Sequence, residues 1–386
     1  MTVTHDVPQR LGVLVDELLE AGALQTPAST AAFASVPRHA FVPRWYEQTT
    51  DERGIAVWNE RDDTDPVLWL DAVYSDATLV TALDPETAEQ VGDRAWTGVA
   101  TSSSTQPSLM AGMLEELLLS DGQRVLEIGT GTGYNAALLC ARLGDGLVHS
   151  IDVDPELVRS ARGRLAEIGY APQLDVGDGQ NGWSSNDRFD RIIATCSVPE
   201  LPAAWVDATR PGGFILADIA GGLEGGLVRF SLESDGTARG RYTETAGRFM
   251  PARSSALAYP ARARAPYAPE VKIRPTTVTA ADIRSHYAFR LLLGFVLPSA
   301  ELVYHLDDDG STALQLQMPD GSWARAPLGG GTVAYGGSPE LWRQVEATWA
   351  WWCEHGRPEQ TEFGLTRDPD GGMQAWYVGD GRRWDL

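Results

Sequence analysis

The sequence predicts an α/β fold: a doubly wound, Rossmann-like parallel sheet, with an N-terminal helical region before it and an additional C-terminal α+β domain after it. Three observations carry this. From Arg124 to about residue 220, short apolar runs alternate with amphipathic segments, the pattern of a parallel sheet covered by helices on both faces. The first run, Val125-Leu-Glu-Ile128, enters three glycines at alternate positions, Gly129, Gly131 and Gly133, as at a strand–turn–helix start where backbone must come close to a ligand. Past residue 220 the alternation stops and the texture changes.

Taken in order, apolar spacing through Leu11, Val15, Leu18 and Leu19 predicts helix over 8–48. The phrase Val36-Pro-Arg-His-Ala-Phe-Val-Pro43 breaks it twice. Residues 50–100 are polar and irregular. A helix over 107–119 is entered through Pro107, a favoured first-turn residue. Strands are expected at 124–128, 147–151, 190–195 and 213–218, with a third-position strand ending at Val176. Helices are expected at 133–143, 155–167 and 201–209. Residues 221–247 read as a Gly-rich hairpin, and 255–275 as a Pro-, Ala- and Arg-rich linker. Beyond it a strand at Leu302–Leu306 and a helix from Pro339 to His355 belong to a second unit. The division is thus 1–100, an N-terminal helical, substrate-side region; 101–250, the cofactor-binding core; 251–275, a basic linker; and 276–386, a C-terminal accessory domain.

Composition sets further bounds. The 386 residues, 43% of them hydrophobic, allow two or three domains. No run approaches the roughly 18 apolar residues of a membrane helix, and the polar start Met1–Arg10 carries no secretory signal. Cys140, Cys196 and Cys353 form no C-x-x-C, and the six histidines have no metal-ligand spacing. A cytoplasmic protein without a metal fits. A net charge of −22 argues against nucleic acid. One basic island interrupts it: Arg248, Arg253, Arg262, Arg264, Lys272 and Arg274 against Glu270 alone. It reads either as a steering patch for an acidic partner or as a solvated linker.

In a parallel sheet, ligands sit beyond the carboxyl ends of the strands, so the loops after Ile128, Ile151, Val176 and Thr195 are the places to look. The wording E-x-G-x-G-x-G, from Glu127 through Gly129, Thr130, Gly131 and Gly133 to Tyr134, points to S-adenosylmethionine. Asp152, followed by Val153, ends the second strand, where a carboxylate can accept both ribose hydroxyls. It also lies 19 residues after Gly133, as in a dinucleotide site, so NAD is the competing reading. Gly177-Asp178-Gly179 places a carboxylate for the adenine amino group.

Several phrases together resemble the protein L-isoaspartyl O-methyltransferase family across about residues 10–220. They are Val36–Pro43, Tyr74-Ser-Asp76, Ser103-Ser-Thr-Gln-Pro107, Val125–Tyr134, Gly177-Asp-Gly179 with Gly182-Trp183, and Phe189-Asp190. The resemblance implies a class I methyltransferase sheet and methylation of a peptide carboxylate, whose ester closes to a succinimide. It also implies substrate contacts at Thr105, flanked by Ser103 and Ser104, and at Gln106 and Pro107. Threonine stands where the family has serine, which adds a methyl and stiffens χ1. Read from the residues alone, a Ser/Thr run before proline is a helix cap.

The family's repair enzymes are expected to finish soon after the sheet, whereas this chain continues. Its tail resembles that of methyltransferases encoded with ribosomally made, modified peptides, the graspetide and lanthipeptide systems. Leu341–Trp352, Gly356-Arg-Pro358, Phe363-Gly-Leu-Thr366 and Phe249-Met-Pro251 with Arg253 carry it. That resemblance implies an aspartate of one precursor peptide, acidic and already cyclised, as the acceptor. Aspartimide or isoaspartate is then the product. Arg253, Trp349 and Trp352 become candidate peptide contacts, although Trp342, Trp349 and Trp352 on one helix face also read as core packing. General isoaspartyl repair and a non-catalytic peptide-binding module are the alternatives.

Overall fold

The computed structural model describes residues 6–51, 56–183, 187–255, 267–306 and 312–386. The chain opens on α1 (Val7–Glu20) and α2 (Pro27–Ser35), followed by a 3-10 turn over Arg38–Phe41. Then come β1 (Arg44–Thr50), β2 (Ala56–Asp62), α3 (Pro66–Val73), β3 (Leu79–Leu83), β4 (Glu89–Gly92), β5 (Ala95–Thr97) and β6 (Ala100–Ser104). These strands form an antiparallel sheet of order β4-β5-β2-β1-β3-β6. The helical expectation for 8–48 therefore ends at the 3-10 turn, and the first region is half sheet. Its strands carry little hydrophobic alternation because β1 is mostly exposed and β2 half-buried. Cross-strand charge pairs decorate it instead, Arg61 with Glu47 at 2.9 Å and Arg94 with Asp62 at 2.6 Å.

The middle of the chain follows the predicted alternation. It contains α4 (Pro107–Glu116), β7 (Val125–Ile128), α5 (Tyr134–Leu143), β8 (Val148–Asp152), α6 (Pro155–Glu167), β9 (Gln173–Val176), β10 (Phe189–Val198), α7 (Ala203–Ala208) and β11 (Thr209–Ala220). Strands β9, β8, β7, β10 and β11 are parallel neighbours. The hairpin β12 (Gly225–Leu232) and β13 (Ala238–Tyr242) continues the sheet antiparallel.

The tail contributes β14 (Lys272–Pro275), α8 (Ala280–Ser285), α9 (Tyr287–Val296), β15 (Glu301–Leu306), β16 (Thr312–Gln317), β17 (Trp323–Pro327) and β18 (Thr332–Gly336). It ends with α10 (Glu340–Glu354), β19 (Phe363–Arg367), β20 (Met373–Tyr377) and β21 (Arg383–Asp385). Five of its strands make a separate sheet, β14-β18-β17-β16-β15. The last three do not: β19 pairs with β13, and the central sheet runs β21-β20-β19-β13-β12-β11-β10-β7-β8-β9. A boundary near 276 in sequence is thus no boundary in space. Without β19, β13 would be an unprotected edge, and Phe295 of α9 packs over both strands, 6.0 Å from Tyr242 and 5.7 Å from Phe363 between ring centroids.

The tryptophan face of α10 is packing. Trp342 is buried and donates to Thr276 Oγ1 at 2.7 Å, and Trp352 is buried and donates to the Pro358 carbonyl. Trp349 meets Phe289 edge-to-face at 4.9 Å. Trp352 is therefore corrected from a peptide contact to accessory core, and the half-buried Trp349 packs against the same core. Part of the basic island is paired: Arg274 with Glu346, Lys272 with Glu270 and Arg248 with Glu224. Arg262 and Arg264 lie outside the described residues.

Arg38 ties the first region to the rest. Its side chain is fully buried and donates to the carbonyls of Val73, Ser75, Ala77, Ser104 and Thr105, and to Ser104 Oγ, at 2.9–3.3 Å. None of these partners is a carboxylate. Burial pulls its pKa down to about 10. Asp76 works beside it: one oxygen caps α4 through the Ser108 N–H at 2.8 Å and the other accepts from Gln106 Nε2 at 2.9 Å. Removing the guanidinium strands several buried carbonyls at once. Arg38→Met is expected to lose about 3–5 kcal/mol in urea unfolding, and Arg38→Lys most of that, because one ammonium cannot span all these acceptors; a loss under about 1 kcal/mol in both would refute the hub.

Candidate active site

The loops beyond the parallel strands, strand β6 and the segment after β13 enclose a cavity of about 320 Å³. Its first wall is the glycine turn after β7. Gly129 has φ 95°, and a Cβ there would lie 2.7 Å from Thr195 Oγ1, so both conformation and space require glycine. The Gly129 N–H donates to the Ile151 carbonyl at 2.8 Å and the Gly131 N–H to Asp152 Oδ2 at 2.8 Å. Glu127, Gly129, Thr130, Gly131 and Tyr134 all line the cavity. Gly133 does not: it caps α5 at φ 90°, with Ala161 of α6 packed 3.0 Å from where its Cβ would be.

Asp152 and Val153, at the end of β8, line the cavity. Burial raises the Asp152 pKa, opposed by the Gly131 and Asp154 N–H groups and by Arg253. Each of its oxygens accepts one N–H, which leaves each a further acceptor position, the arrangement a vicinal diol can fill. Asp178 and Gly179 line the next wall. Asp178 Oδ1 accepts from the Gln180 N–H at 2.9 Å, and Oδ2 takes no protein hydrogen bond among the described residues. Gly177 stands behind this wall, bonding the Asp152 carbonyl.

Glu127 is fully buried, and its two oxygens are held by Asn135 Nδ2 at 2.7 Å and Ser150 Oγ at 2.5 Å. It braces the loop rather than offering a free carboxylate. Burial, with Asp152 nearby, pushes its pKa up to about 7. Asn135 Oδ1 is buried without a hydrogen bond, beside the cavity its residue lines. Tyr134 turns its ring toward Phe41 and Arg38, so its hydroxyl lies in the N-terminal layer.

The remaining walls carry the acceptor-side candidates. Ser103, Ser104 and Thr105 line the cavity. Arg38 occupies Ser104 Oγ, while the Thr105 and Ser103 hydroxyls take no protein hydrogen bond among the described residues. Gln106 and Pro107 are not cavity residues: the first is held by Asp76 and the second is the buried first residue of α4. Pro107, being buried, is corrected from a substrate contact to a support of that turn, which the half-buried Gln106 also braces. Arg253 does reach the cavity and donates to the Thr101 carbonyl at 3.1 Å. Trp349 and Trp352 are absent from it. Sequence reasoning missed Thr101, Asn135, Cys196 and the rest of the Arg248–Arg253 segment. Asn135 ends the glycine phrase, and Phe249-Met-Pro251 was visible without an assigned place.

Two alternate-glycine turns, a diol-competent carboxylate, a second carboxylate with a free oxygen and an orphaned amide oxygen fit a nucleoside joined to an amino acid. The titratable side chains lining the cavity among the described residues are carboxylates, Cys196, Tyr134, Arg248 and Arg253.

Known proteins agree. A family model described as protein-L-isoaspartate(D-aspartate) O-methyltransferase matches residues 84–256. The protein-L-isoaspartate O-methyltransferase of Methanococcus maripaludis strain C5 is 31% identical over 209 residues, 53% of this chain and 79% of that one. Its counterpart from Gloeobacter violaceus is 30% identical over 207 residues, 53% and 80% of the two chains. A solved structure named protein-L-isoaspartate O-methyltransferase shares the fold at a TM-score of 0.54 and 21% identity, covering 95% of this chain and 98% of that one. That match runs through the accessory unit, so the expectation that such enzymes end soon after the sheet is corrected.

The buried Glu127 makes a signed prediction. Its folded pKa near 7 lies above the ordinary 4.5, so the fold prefers the neutral acid and loses stability as pH rises between those values. The stability of Glu127→Gln relative to the parent protein should therefore climb across that window and level off above it. A difference flat with pH in urea titrations would mean an ordinary carboxylate.

Proposed function

We propose, from the premise that the chain belongs to the protein-L-isoaspartate O-methyltransferase family, that it esterifies an aspartate side chain in a ribosomally made, modified precursor peptide. The enzyme is a carboxyl O-methyltransferase and its cofactor is S-adenosylmethionine, which supplies an electrophilic methyl group on a sulfonium. Asp152 is assigned to the ribose hydroxyls, Asp178 to the adenine amino group, and the Gly129–Gly131 turn with Asn135 to the amino-acid end. Glu127 and Gly133 keep that turn in shape, and Gly177 and Gly179 the adenine wall.

On the acceptor side, Thr105 and Ser103 donate hydroxyl hydrogens to the carboxylate and hold one oxygen toward the methyl carbon. That oxygen forms the new C–O bond as the S–C bond breaks, and no proton moves. Alignment and loss of water are the enzyme's contribution, worth several kcal/mol. Arg253 balances the acceptor's charge. In the released ester the next backbone nitrogen attacks the carbonyl and expels methanol. The aspartimide so formed opens with water to aspartate or isoaspartate.

The observation that carries this reading is the hydroxyl wall at Thr105, free of protein partners and facing the same cavity as Asp152. Its threonine methyl narrows the space beside the acceptor, which favours a plain aspartyl carboxylate held in a rigid, cyclised peptide. The accessory unit does not decide between a chosen peptide and general repair, since a relative named for isoaspartate shares its fold. General isoaspartyl repair is therefore the second reading, supported by the relatives' names.

The test mixes purified protein and methyl-labelled donor with three peptides: a linear isoaspartyl peptide, a linear aspartyl precursor and its side-chain-cyclised form. Rapid labelling of the cyclised form alone is expected. Equal or faster labelling of the linear isoaspartyl peptide would replace this reading with repair. Thr105→Ala is expected to lower kcat by about tenfold or more while donor affinity stays within about twofold. Asp152→Ala should do the reverse, weakening donor binding by about tenfold or more in calorimetry; unchanged affinity would move the ribose contact elsewhere.

A further inference from the structure

The wall formed by Arg248–Arg253 is a strap laid across the ends of β10 and β11. The Ser197 N–H donates to the Met250 carbonyl at 2.9 Å, and the Ala252 N–H donates back to the Ser197 carbonyl at 2.7 Å. The Phe249 N–H donates to Asp218 Oδ2 at 2.9 Å. The strap's first side chain, Arg248, reaches Glu224 Oε1 at 3.0 Å.

Glu224 sits in the turn between β11 and β12, and its side chain is 2% exposed. Its other oxygen is taken by Arg290 Nε of α9, at 2.7 Å. Arg290 in turn donates to the Ile283 carbonyl at 3.0 Å, and Tyr287, also on α9, donates its hydroxyl to the Gly225 carbonyl at 2.8 Å. One buried carboxylate is thus shared by two guanidiniums, one from the accessory unit and one from the cavity wall. Arg248 is 71% exposed, and an exposed arginine pair alone is worth little. Glu224 differs because its burial is tolerable only while it is paired, and Arg290 supplies the buried partner. Without Arg290, the carboxylate must draw Arg248 inward or leave its turn, and either moves the strap.

We propose that Glu224 and Arg290 are positioning residues for methyl transfer, through which helix α9 of the accessory unit fixes the strap that walls the cavity. This rests on the carboxyl methyltransferase reading and gives the tail a role at the reaction site rather than only in peptide docking. Asp218, whose carboxyl burial pushes up to about 6, supports the same strap from the neighbouring strand.

The experiment uses the full chain with Glu224→Gln, Arg290→Met and Arg290→Lys. It measures donor affinity, peptide kcat and KM, and amide exchange of the 247–254 segment against the 129–133 turn. In Glu224→Gln and Arg290→Met, peptide kcat/KM is expected to fall by about tenfold, with donor affinity within about twofold. Exchange should quicken in the strap and not in the glycine turn. Arg290→Lys, which keeps the ion pair, should restore most of both. Unchanged kinetics and strap exchange in folded variants would overturn the proposal. So would parallel loss of donor affinity and faster exchange everywhere, which marks plain destabilisation. If Arg290→Met fails to fold, Glu224→Gln against Arg290→Lys decides. Should the parent protein label none of the three carboxyl peptides, the methyltransferase reading fails, and the exchange comparison still judges the strap.

Discussion

A guanidinium buried without a carboxylate partner holds the Ser103–Thr105 wall of the cavity in place. Arg38 gathers carbonyls from the end of α3, the approach to β3 and the end of β6, three chain segments that otherwise have few reasons to meet. Each bond to a charged donor is stronger than a neutral one, and the carbonyl dipoles together replace the water the cation has lost. The Thr105 carbonyl is one of those acceptors. Its hydroxyl therefore faces the cavity from a backbone already fixed on its other side. Arg38 also lies over the Tyr134 ring at 5.9 Å, on the first turn of the helix that the glycine loop feeds. Donor and acceptor walls are so referred to one buried charge.

How much of this the sequence revealed follows from where each signal is stored. Strands β7, β8 and β10 are largely buried on both faces, and β7 and the centre of β10 read as apolar runs with glycine or acid punctuation. Asp152 ends β8, and Asp178 follows β9, so both are placed by counting along the alternation. Strands β1 and β2 escaped because a partly exposed antiparallel ribbon has no apolar face to display. The pairing of β13 with β19 escaped because residues 238–241 and 364–367 lie more than a hundred positions apart, and nothing local marks such a partner. The α10 tryptophans showed a face but not what covers it; periodicity is equal for a groove and for a core. Glu127 was legible as part of the motif, yet its role was not, since only the fold shows both oxygens already taken.

The accessory unit changes meaning once its strands are seen in the central sheet. A separate recognition module would be joined by a linker and could move. Here three strands, the aromatic contact of Phe295 with Tyr242, and the ion pair from Arg290 attach it to the hairpin beside the cavity. The chemistry asks for such rigidity. Methyl transfer to a carboxylate depends on distance and angle, and a strap held on one side alone would control them poorly.

Charge supplies the remaining argument. The chain is acidic overall, and Asp152 and Asp178 stand in the cavity wall, an unpromising place to admit another carboxylate. Glu127, pushed up to about 7, withholds part of one negative charge near neutral pH. The donor's sulfonium and Arg253 oppose the rest. Methyl transfer then removes a positive and a negative charge together, leaving a neutral ester beside a thioether. A transition state in which charge is disappearing is favoured over its separated ions by a dry, low-dielectric cavity. The buried wall built around Arg38 and the strap beside Glu224 thus border the one cavity in which those charges would meet.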